Sequence, residues 1–146
     1  MDAVPPQFVT EEMRIVDAEG RLRILLSARS GIPVFALMHS DGRTGVKLAL
    51  SVDGHPSITL LNPDSTGPAA SLEVDGKGAH VKFDGAGGAS SYVFLNNAGG
   101  SGLVLIDAFG RRRLNATVDS KGITSVEAFA ADGKPAPFTP HRPRIE

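Results

Sequence analysis

The chain has no cysteine and no tryptophan, a single tyrosine and only 5% aromatic residues. The missing thiols exclude a disulfide scaffold, a cysteine nucleophile, a redox pair and any cysteine-held zinc or iron–sulfur centre. The missing tryptophan leaves little aromatic surface on which a sugar ring would stack. No charge surplus exists either: 15 Lys and Arg stand against 16 Asp and Glu, for a net charge of −1. That balance argues against bulk phosphate binding, and so against a nucleic-acid partner. Long apolar runs are absent. The best, Ile32 to Met38, is interrupted by Pro33, and a membrane-spanning helix needs about 20 apolar residues. The start, Met1-Asp-Ala-Val-Pro-Pro-Gln, has neither the basic opening nor the apolar core of a secretory signal. The expectation is a soluble cytoplasmic protein without a membrane partner. Export without a peptide signal would leave no mark in the sequence.

What is present is repetition. The segment Met13-Arg-Ile-Val-Asp17-Ala-Glu-Gly20-Arg21-Leu-Arg23 returns as Leu103-Val-Leu-Ile-Asp107-Ala-Phe-Gly110-Arg111-Arg-Arg113. Weaker copies lie around Asp41-Gly42-Arg43, Asp64 to Gly67, Asp84 to Gly88, and Asp132-Gly133-Lys134. Cuts at 13, 35, 58, 81, 103 and 125 give six units of about 22 residues. Each unit alternates apolar and polar residues, turns through Asp or Asn and Gly, alternates again and turns again. Val46-Lys47-Leu48-Ala49-Leu50 and Ala70-Ser71-Leu72-Glu73-Val74 show the alternation. Period-2 patterning bounded by such turns is the signature of strands in hairpins.

The sequence therefore predicts an all-β domain over residues 13–133, with about twelve short antiparallel strands in six tandem hairpins. Residues 1–12 form an N-terminal arm. Residues 134–146 form a proline-rich tail, because each proline removes a ladder donor from a strand. Grouping hairpins as 13–57, 58–102 and 103–146 allows threefold pseudosymmetry, with trefoil-, prism- or roll-like arrangements. The core would be filled by Leu25, Leu37, Leu48, Leu50, Leu60, Leu72, Val93, Leu95, Leu105 and Val118. The spacing around Asp17, Gly20, Arg21, Arg23 and again Asp107, Gly110, Arg111, Arg113 resembles tandem Asp-x-x-Gly-(Lys/Arg)-x-Arg hairpin repeats of bacterial proteins with no assigned function. The third and fourth units depart from it, with Pro68 and Ala89 after the turn. The resemblance implies the repeat fold and no catalytic residue.

The candidate contact residues are basic. Arg21, Arg43 and Arg111 follow first-turn glycines, Arg23 and Arg113 lie two residues further, and Arg112 completes a triplet. Hairpins of common orientation would gather them at one rim, where guanidinium forks suit phosphate or carboxylate. The alternative is a solvated turn flank whose aspartates cancel its field. The Asp-Gly pairs fit turn chemistry better than calcium repeats. The four histidines show no metal-ligand spacing, and no hydrolase or phosphate-loop motif occurs. Pro137-Phe-Thr-Pro140-His-Arg142 matches a Pro-x-x-Pro-x-Arg ligand. The expectation is a non-catalytic interaction or structural module without cofactor or metal, bound to a protein partner or to itself. The alternative is a carbohydrate-, anion- or other small-ligand-binding repeat protein.

Overall fold

The computed structural model describes residues 8–137. Every element is a strand: β1 Glu12–Val16, β2 Leu22–Ser27, β3 Val34–Met38, β4 Thr44–Leu50, β5 Pro56–Leu60, β6 Ala69–Asp75, β7 Gly78–Asp84, β8 Ser90–Asn96, β9 Ser101–Ile106, β10 Arg112–Val118, β11 Thr124–Phe129 and β12 Pro135–Ala136. They form one open antiparallel sheet in strict chain order, β1 to β12. The twelve-strand, all-β expectation holds. The strand order contains no threefold grouping, and the trefoil and prism alternatives, which need closure or three sheets, are not formed. The arrangement is a continuous meander in which each strand pairs with its sequence neighbours.

The turns explain the order. In the β1–β2 turn, Gly20 donates its N–H to the Asp17 carbonyl at 3.0 Å, and Asp17 donates to the Arg21 carbonyl at 3.0 Å. The same pair of bonds closes the β3–β4, β4–β5, β8–β9, β9–β10, β10–β11 and β11–β12 turns. This is a type I turn followed by a left-handed residue, a geometry that joins strands through three residues. Glycine supplies the positive φ, 73° at Gly110 for example. The Asp107 carboxylate accepts from the Phe109 and Arg111 N–H groups at 2.9 and 3.0 Å, and Asp17, Asn96 and Asp119 repeat that pattern. The acidic and amide turn residues are thus occupied with backbone donors.

The short tail strand β12 pairs Pro135 with Phe129 and Ala136 with Ala128 at the sheet edge. An edge position is where proline is tolerated. The Pro-x-x-Pro-x-Arg segment lies outside the described residues from Phe138 onward.

Packing departs from the expectation. Among the described residues only Ala36, Ala49 and Val104 form a buried apolar set. Of the ten expected core residues, nine are 37–56% exposed, and only Leu25 is half-buried. The accessible surface is 10798 Å², against roughly 7,100 Å² for a compact protein of 15.2 kDa. Allowing about 2,500 Å² for the sixteen undescribed residues at unfolded exposure still leaves a large excess. The reason is topological. A meander lays apolar side chains on one face of one layer, and no second layer among the described residues covers them.

Candidate interaction surface

Register puts the alternation into rows. One row crosses the sheet as Met13, Leu26, Phe35, Leu48, Ile58, Leu72, Val81, Val93, Leu103, Ala116 and Val126. Each is paired with the next across adjacent strands, and all eleven are apolar. The neighbouring row on the same face reads Ile15, Ile24, Leu37, Val46, Leu60, Ala70, Phe83, Ser91, Leu105, Leu114, Ala128 and Ala136. Ser91 is its one polar member. A third, shorter row includes Leu50, Pro56, Val74, Ala79, Leu95 and Val118. The repeat length causes this. Two strands and two turns take about 22 residues, so Met13, Phe35, Ile58, Val81, Leu103 and Val126 return to the same row unit after unit.

These side chains meet solvent: Leu72 is 45% exposed, Val93 56% and Val126 58%. Apart from Val16, which follows a β-bulge, every exposed large apolar side chain within a described strand lies on this face. No ionisable side chain occurs in the rows just given. Near β1–β5 an open trough of about 650 Å³ has Phe8, Met13, Leu26, Phe35, Leu48 and Leu50 in its lining.

The opposite face is polar and better packed. It carries Glu12, Arg14, Lys47, Glu73, His80, Lys82 and Glu127. Lys82 pairs with Asp84 at 2.8 Å, His80 Nε2 lies 3.4 Å from Glu73, and Asn115 donates to Glu127 at 3.1 Å. Tyr92 and Phe94 sit with ring centres 5.9 Å apart. All three buried apolar residues are on this side. Val104 lies between Tyr92 and Asn115 in register, and Ala36 between Leu25 and Lys47. Long side chains shade small ones here, which the apolar face lacks.

The sequence-predicted arginines lie on turns (Arg21, Arg43, Arg111) or in the adjoining strand ends (Arg23, Arg112, Arg113) at one end of the sheet, since the β1–β2, β3–β4 and β9–β10 turns share that end in a meander. They form two groups and not one ring. Arg21, Arg23 and Arg43 are at the β1–β4 side, and Arg111, Arg112 and Arg113 are six strands away, roughly 29 Å at the usual strand spacing. Most are already partnered. Arg21 pairs with Asp17 at 2.8 Å and Glu19 at 2.6 Å, and Arg23 with Asp17 at 3.4 Å and with the Met38 carbonyl at 3.1 Å. Arg43 meets Asp41 at 2.7 Å, while Arg111 and Arg113 share Asp107 at 3.6 and 3.7 Å. Arg111 also lies 4.8 Å above the Phe109 ring and donates to the Ala131 carbonyl at 2.7 Å. Arg112 makes no ion pair among the described residues.

The acids respond accordingly. Desolvation pushes Asp17 upward, but hydrogen bonds from the Arg21 side chain and backbone, and its charge, outweigh it and hold the carboxyl at about 2. The Arg43 guanidinium lowers Asp41, and the Arg111 backbone N–H lowers Asp107. Among the described residues no three His, Asp or Glu side chains gather as a cation site, and no helix is long and apolar enough to cross a membrane. Comparison with protein-family models and with curated proteins finds no match.

The sequence pointed to the turn arginines and not to the apolar face. The signal for that face lies in the 22-residue return of apolar positions, which the alternation alone reads as the filling of a core.

Proposed function

We propose that this chain is a non-catalytic interaction or structural module whose working surface is the apolar face of its sheet. One observation carries the reading: an unbroken row of eleven apolar residues, eight of them exposed to solvent and three half-buried, crosses the sheet from β1 to β11. With strands about 4.8 Å apart and three rows about 6.7 Å apart, the face measures roughly 50 by 20 Å, or about 1,000 Å². Contiguous apolar patches beyond a few hundred Å² on a water-exposed surface mark places where something else binds. The anion-binding alternative has less support, because five of the six rim arginines already share carboxylates.

The test is an environment-sensitive apolar dye such as anilinonaphthalene sulfonate, added to the chain at concentrations where it is monomeric. Dye emission should rise with the native chain and fall away in a Leu72→Lys/Val93→Lys double variant. It should persist in Ser71→Lys/Tyr92→Lys, which alters the other face at neighbouring positions. Equal emission from both double variants would remove the apolar face from the account.

A further inference from the structure

We infer that the occupant of the apolar face is a second copy of this chain, stacked face to face so that two single sheets become a two-layer sandwich. The inference rests on the reading that this face is the working surface, and it names the partner. Three observations carry it.

The first is size. A face of about 1,000 Å² per copy gives about 2,000 Å² in total, at the edge of the range of obligate homodimers. The required partner must offer a flat apolar surface roughly 50 Å wide. An α-helix covers a stripe about 10 Å wide, so about five helices side by side would be needed. A second copy supplies the required outline by identity.

The second is charge. The apolar rows hold no ionisable group, so an identical face brings no like-charge repulsion. Within these rows nothing selects a charged partner, and the acids beside them, Glu11 and Glu12, line the trough only at the β1 edge. The charged residues sit on the opposite face and on the turns, where a stacked pair keeps them in water.

The third is packing. Leucine, isoleucine and valine dominate the rows, and facing sheets in sandwiches interdigitate such side chains at about 10 Å separation. A two-fold axis in the plane of the interface sets the centre of the face against itself. That centre is Leu72 on β6 and Val81 on β7, so each substitution there acts twice.

Sedimentation velocity of the full chain tests this. The native chain should move from 15.2 kDa at low concentration to twice that mass as concentration rises. Added sulfate should strengthen the association. Leu72→Lys and Val93→Lys should each raise the dimer dissociation constant at least about tenfold, the signature of a central contact. Ser71→Lys, on the polar face of the same strand, should leave it unchanged. If a lysine variant loses its β-sheet circular dichroism, Leu72→Ala gives the graded version, a smaller rise in the same constant. Dimers that persist undiminished in Leu72→Lys and Val93→Lys overturn the face-to-face stack. A chain that stays single at every concentration also overturns it. In that case the dye separates the two claims. Single chains whose dye response depends on Leu72 and Val93 retain the interaction surface and lose the second copy. Single chains whose response ignores both residues lose both. Capture of single chains by neutral phosphatidylcholine vesicles would assign the face to lipid instead.

Discussion

Val93 and Val104 sit on adjacent strands, β8 and β9, yet they face opposite sides of the sheet. Val93 is 56% exposed on the apolar face, whereas Val104 is 2% exposed on the polar one. In an ordinary two-layer domain the apolar face would hold the buried valine. Here the polar face provides its own cover from long charged and aromatic side chains, and the apolar face has none among the described residues. Burial in this chain follows what lies beside a residue, not how apolar its face is. The lesson is that the sheet is built to completion on one side only.

The comparison can be broken most sharply by the same substitution on both sides. Val104→Asp should cost about 3 kcal/mol or more in urea unfolding, because it buries a carboxylate without a partner. Val93→Asp should cost within about 1 kcal/mol in the monomer, the penalty of a poor strand former at an exposed site. Equal losses would mean the two faces are equally packed.

Glycine sharpens the contrast at smaller scale. On the polar face a Cβ at Gly102 would lie 2.7 Å from the Ala116 carbonyl oxygen and 2.8 Å from the Thr117 methyl. Gly102→Ala should therefore cost about 1–2 kcal/mol through overpacking. Ser101→Ala, one residue away on the open face, should be close to neutral by the same unfolding measurement.

The rim acids give a pH-dependent difference. Asp17, Asp41 and Asp107 all have lowered values in the folded chain. Such groups bind fewer protons folded than unfolded, so their contribution is complete above the ordinary carboxylate value of about 4. It is lost as pH falls through the folded value, about 2 for Asp17. Unfolding midpoints at pH 7, 4 and 2 should decline toward acid, and the decline should be shallower in Asp17→Asn. The smallest effect belongs to the exposed rim pairs. Arg43→Ala, which removes the pair with Asp41, should change stability by no more than about 0.5 kcal/mol, within the range of solvated ion pairs.

Much of the strand plan was legible because its signals are local. Alternation around Leu48 and Leu72, and Asp-x-x-Gly turns at 17–20 and 107–110, require nothing from distant parts of the chain. The turn role of the aspartates was legible for the same reason, and their carboxylates do hold backbone donors. What was not legible is where the sheet ends up. Leu60, Leu72 and Val93 read as core because alternation marks a face, but it does not say whether another layer meets that face. Rim geometry was half legible. Common turn positions placed Arg21, Arg43 and Arg111 at one end, but the number of strands between them follows from the meander, and a closed fold would have brought them together.

The most direct test of the two-faced account is carbene footprinting of the full chain over a concentration series. Leu72, Val81 and Val93 should label readily in dilute solution and become protected as concentration rises. Tyr92 and Lys82, on the opposite face of β8 and β7, should label alike throughout. Uniform labelling of both faces at every concentration, or protection confined to Tyr92 and Lys82, would contradict the account.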